Sequence, residues 1–187
     1  QIIKPDQNLS YSTLVKNGIV SIRTTLCNTD KIKANSILDN IEEEICRELG
    51  VYVYSKRDET LESTISKVFT EKAITLAIAE SCTGGLVSNL LTNVQGSSAF
   101  FLGGIVSYSN KVKEDLLNVP EKLINEFGVI SAEVAKAMAS GARERIQADI
   151  GLAITGIAGP TGVDGNVDRE KPVGLVYVAT AINDELE

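Results

Sequence analysis

Ile74-Thr75-Leu76-Ala77-Ile78-Ala79, running into Glu80-Ser81-Cys82-Thr83-Gly84-Gly85, decides the fold. A short apolar run closed by small polar residues and Gly is a buried strand. The segment 82–93 then opens a helix, so the stretch is one strand-to-helix unit. Gly104–Ser109 (GIVSYS) and Ile150–Thr155 (IGLAIT) repeat the strand signal, and Pro172–Ala181 (PVGLVYVATA) is a fourth strand. Two short helices, 110–118 and 120–128, lie between the second and third strands. A longer helix follows, capped by Ser131 and reaching Ala148, with Val134, Ala135, Met138, Ala142 and Ile146 facing inward. Strands alternating with helices predict an α/β protein: a mostly parallel sheet with helices on both faces. Functional groups of such a sheet gather at the carboxyl ends of its strands.

Upstream the pattern differs. Gly18–Leu26 alternates and is β-branched, so it reads as a strand. Ala34–Leu49 has a helical stripe of Ile37, Leu38, Ile41, Ile45 and Leu49, stopped by Gly50. Val51–Tyr54 (VYVY) reads as a second short strand. Residues 1–57 therefore form a small α+β domain of β-α-β order, and residues 58–187 a second domain. The junction is the charged stretch 55–59 (SKRDE). Beyond it Thr60 caps a helix striped with Leu61, Ile65, Val68 and Phe69. The chain stops just after the fourth strand, which predicts that a covering helix or strand is missing there.

Composition narrows the chemistry. Among 187 residues, 18 Lys and Arg face 25 Asp and Glu, a net charge of −7. That balance argues against nucleic acid as a partner. No apolar run is long enough to cross a bilayer, and no signal pattern opens the chain. There is no His, so Ser-His-Asp and Cys-His catalysis are excluded. Cys27, Cys46 and Cys82 have no metal-binding spacing and read as reduced thiols of a cytoplasmic protein. Glu80 has no partner carboxylate in the strand-end clusters, so neither a metal site nor a cofactor is expected.

Three strand ends carry the candidate site. At the first, Glu80 ends a buried strand, and Ser81, Thr83, Gly84 and Gly85 begin a helix. Free N–H groups there suit a phosphate or a developing oxyanion. The second cluster holds Ser98, then Ser107, Tyr108, Ser109, Asn110, Lys111 and Lys113. A Lys in the first turn of a helix opposes the helix dipole. With no His present, a Lys deprotonated by burial is the leading general base, and Ser-Lys dyads are a known route to an activated nucleophile. The third cluster, Thr155-Gly156-Ile157-Ala158-Gly159-Pro160-Thr161-Gly162, matches no phosphate-loop pattern. Its glycines allow close backbone approach to a ligand.

AESCTGG (79–85), GSSAFFLGGIVSYSNKVK (96–113), GVISAEVAKAMASGARERIQADI (128–150), TGIAGPTG (155–162) and EKPVGLVYVA (170–179) together resemble the C-terminal domain of the CinA family, shared with stand-alone nicotinamide-nucleotide amidases. Residues 1–59 resemble the small KH-like middle domain of long CinA proteins, including NGIVSIRTT and the LG-VYVY ending. No segment resembles the N-terminal molybdopterin-binding-like domain of those proteins. The resemblance implies a cytoplasmic, homo-oligomeric hydrolase of pyridine-nucleotide salvage. It would convert the carboxamide of nicotinamide mononucleotide (NMN) to the acid plus ammonia by a Ser/Lys mechanism. The alternative it implies is a non-catalytic nucleotide-binding or regulatory module of a competence/damage-inducible protein. Carried over residue by residue, the Lys of the YSN-x-x-K motif falls on Lys113, with Tyr108 beside it as a catalytic residue. Glu80, Thr83, Gly84, Gly85, Asn110, Thr155, Gly156 and Gly159 fall on substrate-binding positions. Ser98 and Ser81 both lie in matching motifs. Ser98 is closer in sequence to Lys113 and is slightly favoured as nucleophile; Ser81 is the rival or an oxyanion-site partner. Two departures are expected: a longer rim after Gly159, and a KH-like part without a GxxG loop, so RNA binding is not carried over.

Overall fold

The computed structural model describes residues 8–27, 30–160, 168, 170–182 and 185–186. They form two compact units, Gln1–Glu59 and Thr60–Glu187.

The first unit opens with a strand, β1 (Leu9–Lys16), that sequence reasoning missed. It pairs antiparallel with β2 (Ile19–Leu26). The turn is Asn17-Gly18 with φ of 51° and 77°. Two consecutive positive φ values match the twist of a tight hairpin and suit Asn-Gly. Helix α1 (Lys31–Leu49) follows. Asp30 caps its start by accepting from the N–H groups of Ile32 and Lys33, and Gly50 ends it at φ 53°. The expected strand 51–54 is not formed. Gly50–Tyr52 makes a single 3-10 turn, and Val53 and Tyr54 have no strand beside them among the described residues. The unit is thus a hairpin followed by a helix: the second strand of the expected β-α-β comes before β2 rather than after α1.

The second unit begins with α2 (Leu61–Glu71), whose Thr60 cap accepts from the Ser63 N–H. Then come β3 (Leu76–Glu80), α3 (Leu86–Thr92), β4 (Phe101–Val106), α4 (Asn110–Leu117), α5 (Glu121–Phe127), α6 (Ala132–Ile146), β5 (Ile150–Gly156), β6 (Val176–Ile182) and β7 (Glu185–Leu186). The sheet order is β4-β3-β5-β6-β7. β4, β3 and β5 run parallel, joined by helical crossovers. β6 runs antiparallel to β5, and β7 to β6. The fourth strand reverses because no helix intervenes between Gly156 and Val176 among the described residues, and an antiparallel return needs no crossover. The fold is α/β with a parallel centre and an antiparallel edge.

Helices cover both faces. On one, Val134, Ala135, Met138 and Ala142 of α6 pack on Ala77, Ala79, Ala153, Ala179 and Ala181. Small side chains let the elements approach closely: between sheet and helix a Cβ at Gly151 would overlap the Ala139 carbonyl, and between α6 and α4 one at Gly141 would overlap the Leu117 carbonyl. On the other face Leu76, Ile78 and Ile154 meet Leu91 and Phe100, with Ile65 and Phe69 of α2 over them. Phe69 and Phe100 meet edge to face, centroids 5.9 Å apart. Burial on both faces explains why β3 is apolar at every position until Glu80.

Candidate active site

The site grows out of the carboxyl end of β3. Glu80 is in register with Val106 of β4 and Ile154 of β5, so β3 and β4 finish at one level and β5 runs two residues further, to Gly156. Just beyond, the Ser81 N–H donates to the Ile154 carbonyl at 2.9 Å, and the Ser107 N–H donates to the Glu80 carbonyl at 2.7 Å. Ser81 is thereby fixed between two strand ends. After β4 the chain crosses Tyr108, and Ser109 caps α4 by accepting from the Val112 N–H. Lys113 sits one turn into α4. Helical side chains tilt back toward the N-terminus, which returns its amine to the strand ends. Lys113 Nζ lies 3.1 Å from Ser81 Oγ, 2.7 Å from the Ser107 carbonyl and 3.2 Å from the Tyr108 carbonyl.

Lys113 is 2% exposed. Burial penalises its ammonium form and lowers its pKa to about 8. Among the described residues no carboxylate pairs with it. Its neighbour Lys111 takes no part in this: Lys111 is exposed and bonded to Asp115 at 3.0 Å, which raises its own pKa. The shift of Lys113 comes from desolvation.

Glu80 departs from expectation. Its carboxylate is fully buried and does not face an open site. Oε1 accepts from the Ser88 N–H at 2.8 Å and the Ser88 hydroxyl at 2.7 Å. Oε2 accepts from the N–H groups of Gly85 at 3.0 Å and Val87 at 3.1 Å. Burial pushes the carboxyl up. The hydrogen bonds outweigh it, led by the Ser88 hydroxyl, and hold the carboxyl below the usual glutamate value. Glu80 is therefore spent on its own turn, a correction to its expected place among substrate ligands.

The amides at the start of α3 are spent with it. Gly84 N–H donates to the Ser81 carbonyl and Leu86 N–H to that of Thr83, while Gly85, Val87 and Ser88 serve Glu80. Of the phosphate cradle expected at 81–85, the Gly84 and Gly85 amides are thus already taken within the chain, by the Ser81 carbonyl and the Glu80 carboxylate. Between Ser81 and Ser88, only the Cys82 and Thr83 N–H groups have neither a backbone nor a carboxylate acceptor among the described residues; both face the Cys82 thiol. Both lie immediately after Ser81.

The structure does not bring Ser98 to Lys113. Ser98 belongs to a 3-10 turn, Ser97–Ala99, that leads into β4, and it is exposed. Residues that enter a parallel strand lie at the opposite edge of the sheet from residues that leave it. Closeness in sequence favoured Ser98; strand direction reverses that preference. A groove of about 420 Å³ at the Ser98 edge, lined by Ser63, Ser66, Lys67, Thr70, Gln95 and Gly96, contains neither Ser81 nor Lys113.

Tyr108 is 76% exposed and Asn110 is exposed beside it, so both stand at the rim. The Thr83 hydroxyl is buried and adds to the polar surroundings of Glu80. Thr155 is buried and donates its hydroxyl to the Val129 carbonyl at 2.9 Å, so it braces the adjoining turn. Beyond Gly156 the glycine loop is pinned to Gly174–Leu175: Ile157 N–H donates to the Leu175 carbonyl, and Gly174 N–H to that of Ile157. Gly159 takes a φ of 81°. The rest of the expected long rim, 161–167 and 169, lies outside the described residues.

Sequence reasoning placed Ser107 in the second cluster, Ser107 to Lys113, without seeing that its carbonyl positions the amine, and it missed Ser88, which holds Glu80. It also missed Asp168 and Lys171. The Asp168 carboxylate accepts from the Val129 N–H at 2.9 Å and from Lys171 Nζ at 2.7 Å. Lys171 also donates to the Phe127 and Ile130 carbonyls. No local pattern marks these contacts with the 127–130 turn, because they join residues far apart in the chain.

Fold and site together define an α/β domain carrying a buried Ser–Lys pair at the carboxyl edge of a parallel sheet. Residues 58–187 match the family profile "CinA C-terminal domain", and the chain belongs to the CinA family. It is 40% identical over 185 residues to a CinA-like protein of Dictyoglomus thermophilum, covering 99% of this chain and 44% of that protein. A putative competence-damage inducible protein of Halothermothrix orenii is 42% identical over 179 residues, covering 96% and 42%. The chain thus spans less than half the length of these curated relatives. Among solved structures, a competence-damaged protein (CinA) superfamily protein from Escherichia coli is similar at a TM-score of 0.65 and 31% identity, over 71% of this chain and 77% of that one. A competence/damage inducible protein from Agrobacterium tumefaciens is similar at 0.63 and 41%, over 68% and 75%.

Proposed function

We propose that this chain carries an amidohydrolase centre in which Ser81 is the nucleophile and Lys113 its general base, acting on the carboxamide of NMN. The observation that supports it is the 3.1 Å contact between Lys113 Nζ and Ser81 Oγ, in a buried setting that lowers the lysine pKa to about 8. A charged Lys113 donates to three oxygens. A neutral amine keeps two donors for the Ser107 and Tyr108 carbonyls and turns its lone pair to the Ser81 hydroxyl. The two carbonyls therefore orient the base.

In the first half-reaction Ser81 Oγ gives its proton to Lys113 Nζ and attacks the carboxamide carbon. The carbonyl oxygen gains the charge and lies on the Cys82 and Thr83 N–H groups beside the nucleophile, which have no backbone or carboxylate acceptor among the described residues and would turn from the Cys82 thiol to the oxyanion. Lys113 returns the proton to the departing nitrogen, and ammonia leaves. Water, deprotonated by the same lysine, then attacks the acyl-serine; the bond to Ser81 Oγ breaks, Lys113 Nζ returns the proton to that oxygen, and nicotinate mononucleotide leaves. Tyr108 and Asn110 at the rim are positioned to meet the substrate's outer part. Family resemblance, rather than the site, supports a cytoplasmic salvage role.

The test is to incubate the protein with NMN and measure ammonia and nicotinate mononucleotide, with Ser81→Ala and Lys113→Arg as controls. Stoichiometric binding of NMN without ammonia release would instead favour a regulatory nucleotide-binding module.

A further inference from the structure

We propose that Glu80 is a positioning residue for Ser81: an internal anion that folds the 81–88 turn so that the Ser81 hydroxyl faces Lys113 and the Cys82 and Thr83 N–H groups are not spent on a backbone or carboxylate acceptor. This rests on Ser81 being the nucleophile, and it extends that role to a residue that touches neither substrate nor reacting atoms.

A carboxylate is costly to bury unless hydrogen bonds satisfy it. Glu80 has four such bonds, and every one comes from the turn that Ser81 begins. Oε1 takes both donors of Ser88; Oε2 takes Gly85 and Val87. An ordinary cap on α3 would need one side-chain oxygen at its own N-cap position, which in this helix is Gly85. A carboxylate reaching from the residue before Ser81 does something more: it ties the cap to the nucleophile. Two further sequence choices serve the same turn. Gly84 and Gly85 adopt φ of 59° and 98°, a reversal that a side chain would resist. On the neighbouring strand a Cβ at Gly104 would overlap the Ser88 hydroxyl, so the absence of a side chain there keeps Ser88 on Glu80. The filled amides of Gly85, Val87 and Ser88 also bar an anionic ligand from the start of α3, which separates Glu80 from a substrate-binding role.

The experiment measures the rate at which a fluorophosphonate labels Ser81 in the full chain, located by peptide mass, beside NMN turnover and thermal unfolding. Glu80→Gln keeps the shape but replaces one acceptor oxygen with a donor. Labelling and kcat should fall about tenfold or more, as expected when a reacting group is displaced by a fraction of an ångström to an ångström. KM should change less than about twofold. A folded Glu80→Gln protein with wild-type labelling and kcat would overturn the positioning role. So would a raised KM at unchanged kcat, which would mark a substrate ligand. If Glu80→Gln does not fold, Ser88→Ala decides: it keeps the charge, removes one bond and should slow labelling a few-fold, and unchanged labelling overturns the proposal. Labelling does not depend on NMN. A wild-type chain labelled at Ser81 but inert toward NMN would therefore contradict the substrate while leaving Glu80 testable. A wild-type chain unlabelled at Ser81 would overturn both the nucleophile and the positioning role of Glu80.

Discussion

Lys113 Nζ stands 3.1 Å from Ser81 Oγ, although 32 residues separate them in the chain. The contact exists because Ser81 leaves β3 and Lys113 follows β4 at the same edge of a parallel pair. The amine is buried without a counter-charge among the described residues, so its protonation is the variable that controls the hydroxyl.

Replacing Ser81 and Ser98 separates the two edges of the sheet. Ser81→Ala should lower NMN turnover by about a thousandfold or more, as loss of a nucleophile does. Ser98→Ala, at an exposed turn on the far edge, should leave turnover within about twofold. Equal losses in both variants would refute the assignment.

The pH dependence has a definite sign. In the proposed mechanism the base works as the neutral amine, so a proton on Lys113 blocks it. Turnover should rise about tenfold per pH unit below about 8 and level off above it. Lys113→Arg cannot deprotonate in this range. It should abolish turnover while NMN still binds. Lys111→Arg, in an exposed pair with Asp115, should behave as wild type. A profile flat between about pH 6 and 9 would remove Lys113 as base.

The same lysine predicts a stability effect. Its pKa is lower folded, about 8, than the ~10.4 of an unfolded Lys. Between those values the unfolded chain binds more protons, so stability should rise with pH across that window. Below about pH 8 the penalty for burying the ammonium is fully present. Denaturant titrations of wild type and Lys113→Met should differ in slope between about pH 8 and 10.5, with the wild type steeper.

Asp168 and Lys171 fasten the Gly128–Ser131 turn. Gly128 has a φ of 82°, and a Cβ there would overlap the Asp168 carboxylate. Gly128→Ala should cost about 2 kcal/mol or more from backbone strain and displacement of Asp168. Asp168→Ala leaves Lys171 without its anion and should cost on the order of 2–3 kcal/mol. Urea unfolding of each variant measures this; a loss under about 0.5 kcal/mol, the level of an ordinary surface substitution, would show that the clamp is idle.

Chelation should leave turnover unchanged. No three His, Cys, Asp or Glu side chains converge among the described residues, and the carboxylate of Glu80 at the strand ends is saturated by its own turn. Loss of activity in EDTA with recovery on adding a divalent ion would contradict this.

Much of the fold was legible in local pattern. Apolar runs ended by Ser and Gly marked β3 and β5, and Thr60 and Ser131 announced the helices they cap. The absence of His, together with lysines placed against a helix dipole, pointed to Lys111 and Lys113 alike, and the resemblance to the YSN-x-x-K motif chose Lys113 between them. Other features depended on what lies across space. VYVY has strand composition but no neighbour to pair with among the described residues. Val176–Ile182 reads the same whether parallel or antiparallel, and its direction follows from the connection before it. Ser98 and Ser81 are both serines in small-residue turns; only strand direction assigns them to opposite edges. Glu80 looked like a ligand because a carboxylate ending a buried strand is unusual. The turn beyond it supplies all its partners, and that closure is a tertiary fact. The sequence determined which chemical groups this protein has and on which elements they ride. The three-dimensional packing decided which of them meet, because a hydrogen bond depends on a few ångströms that residue spacing does not encode.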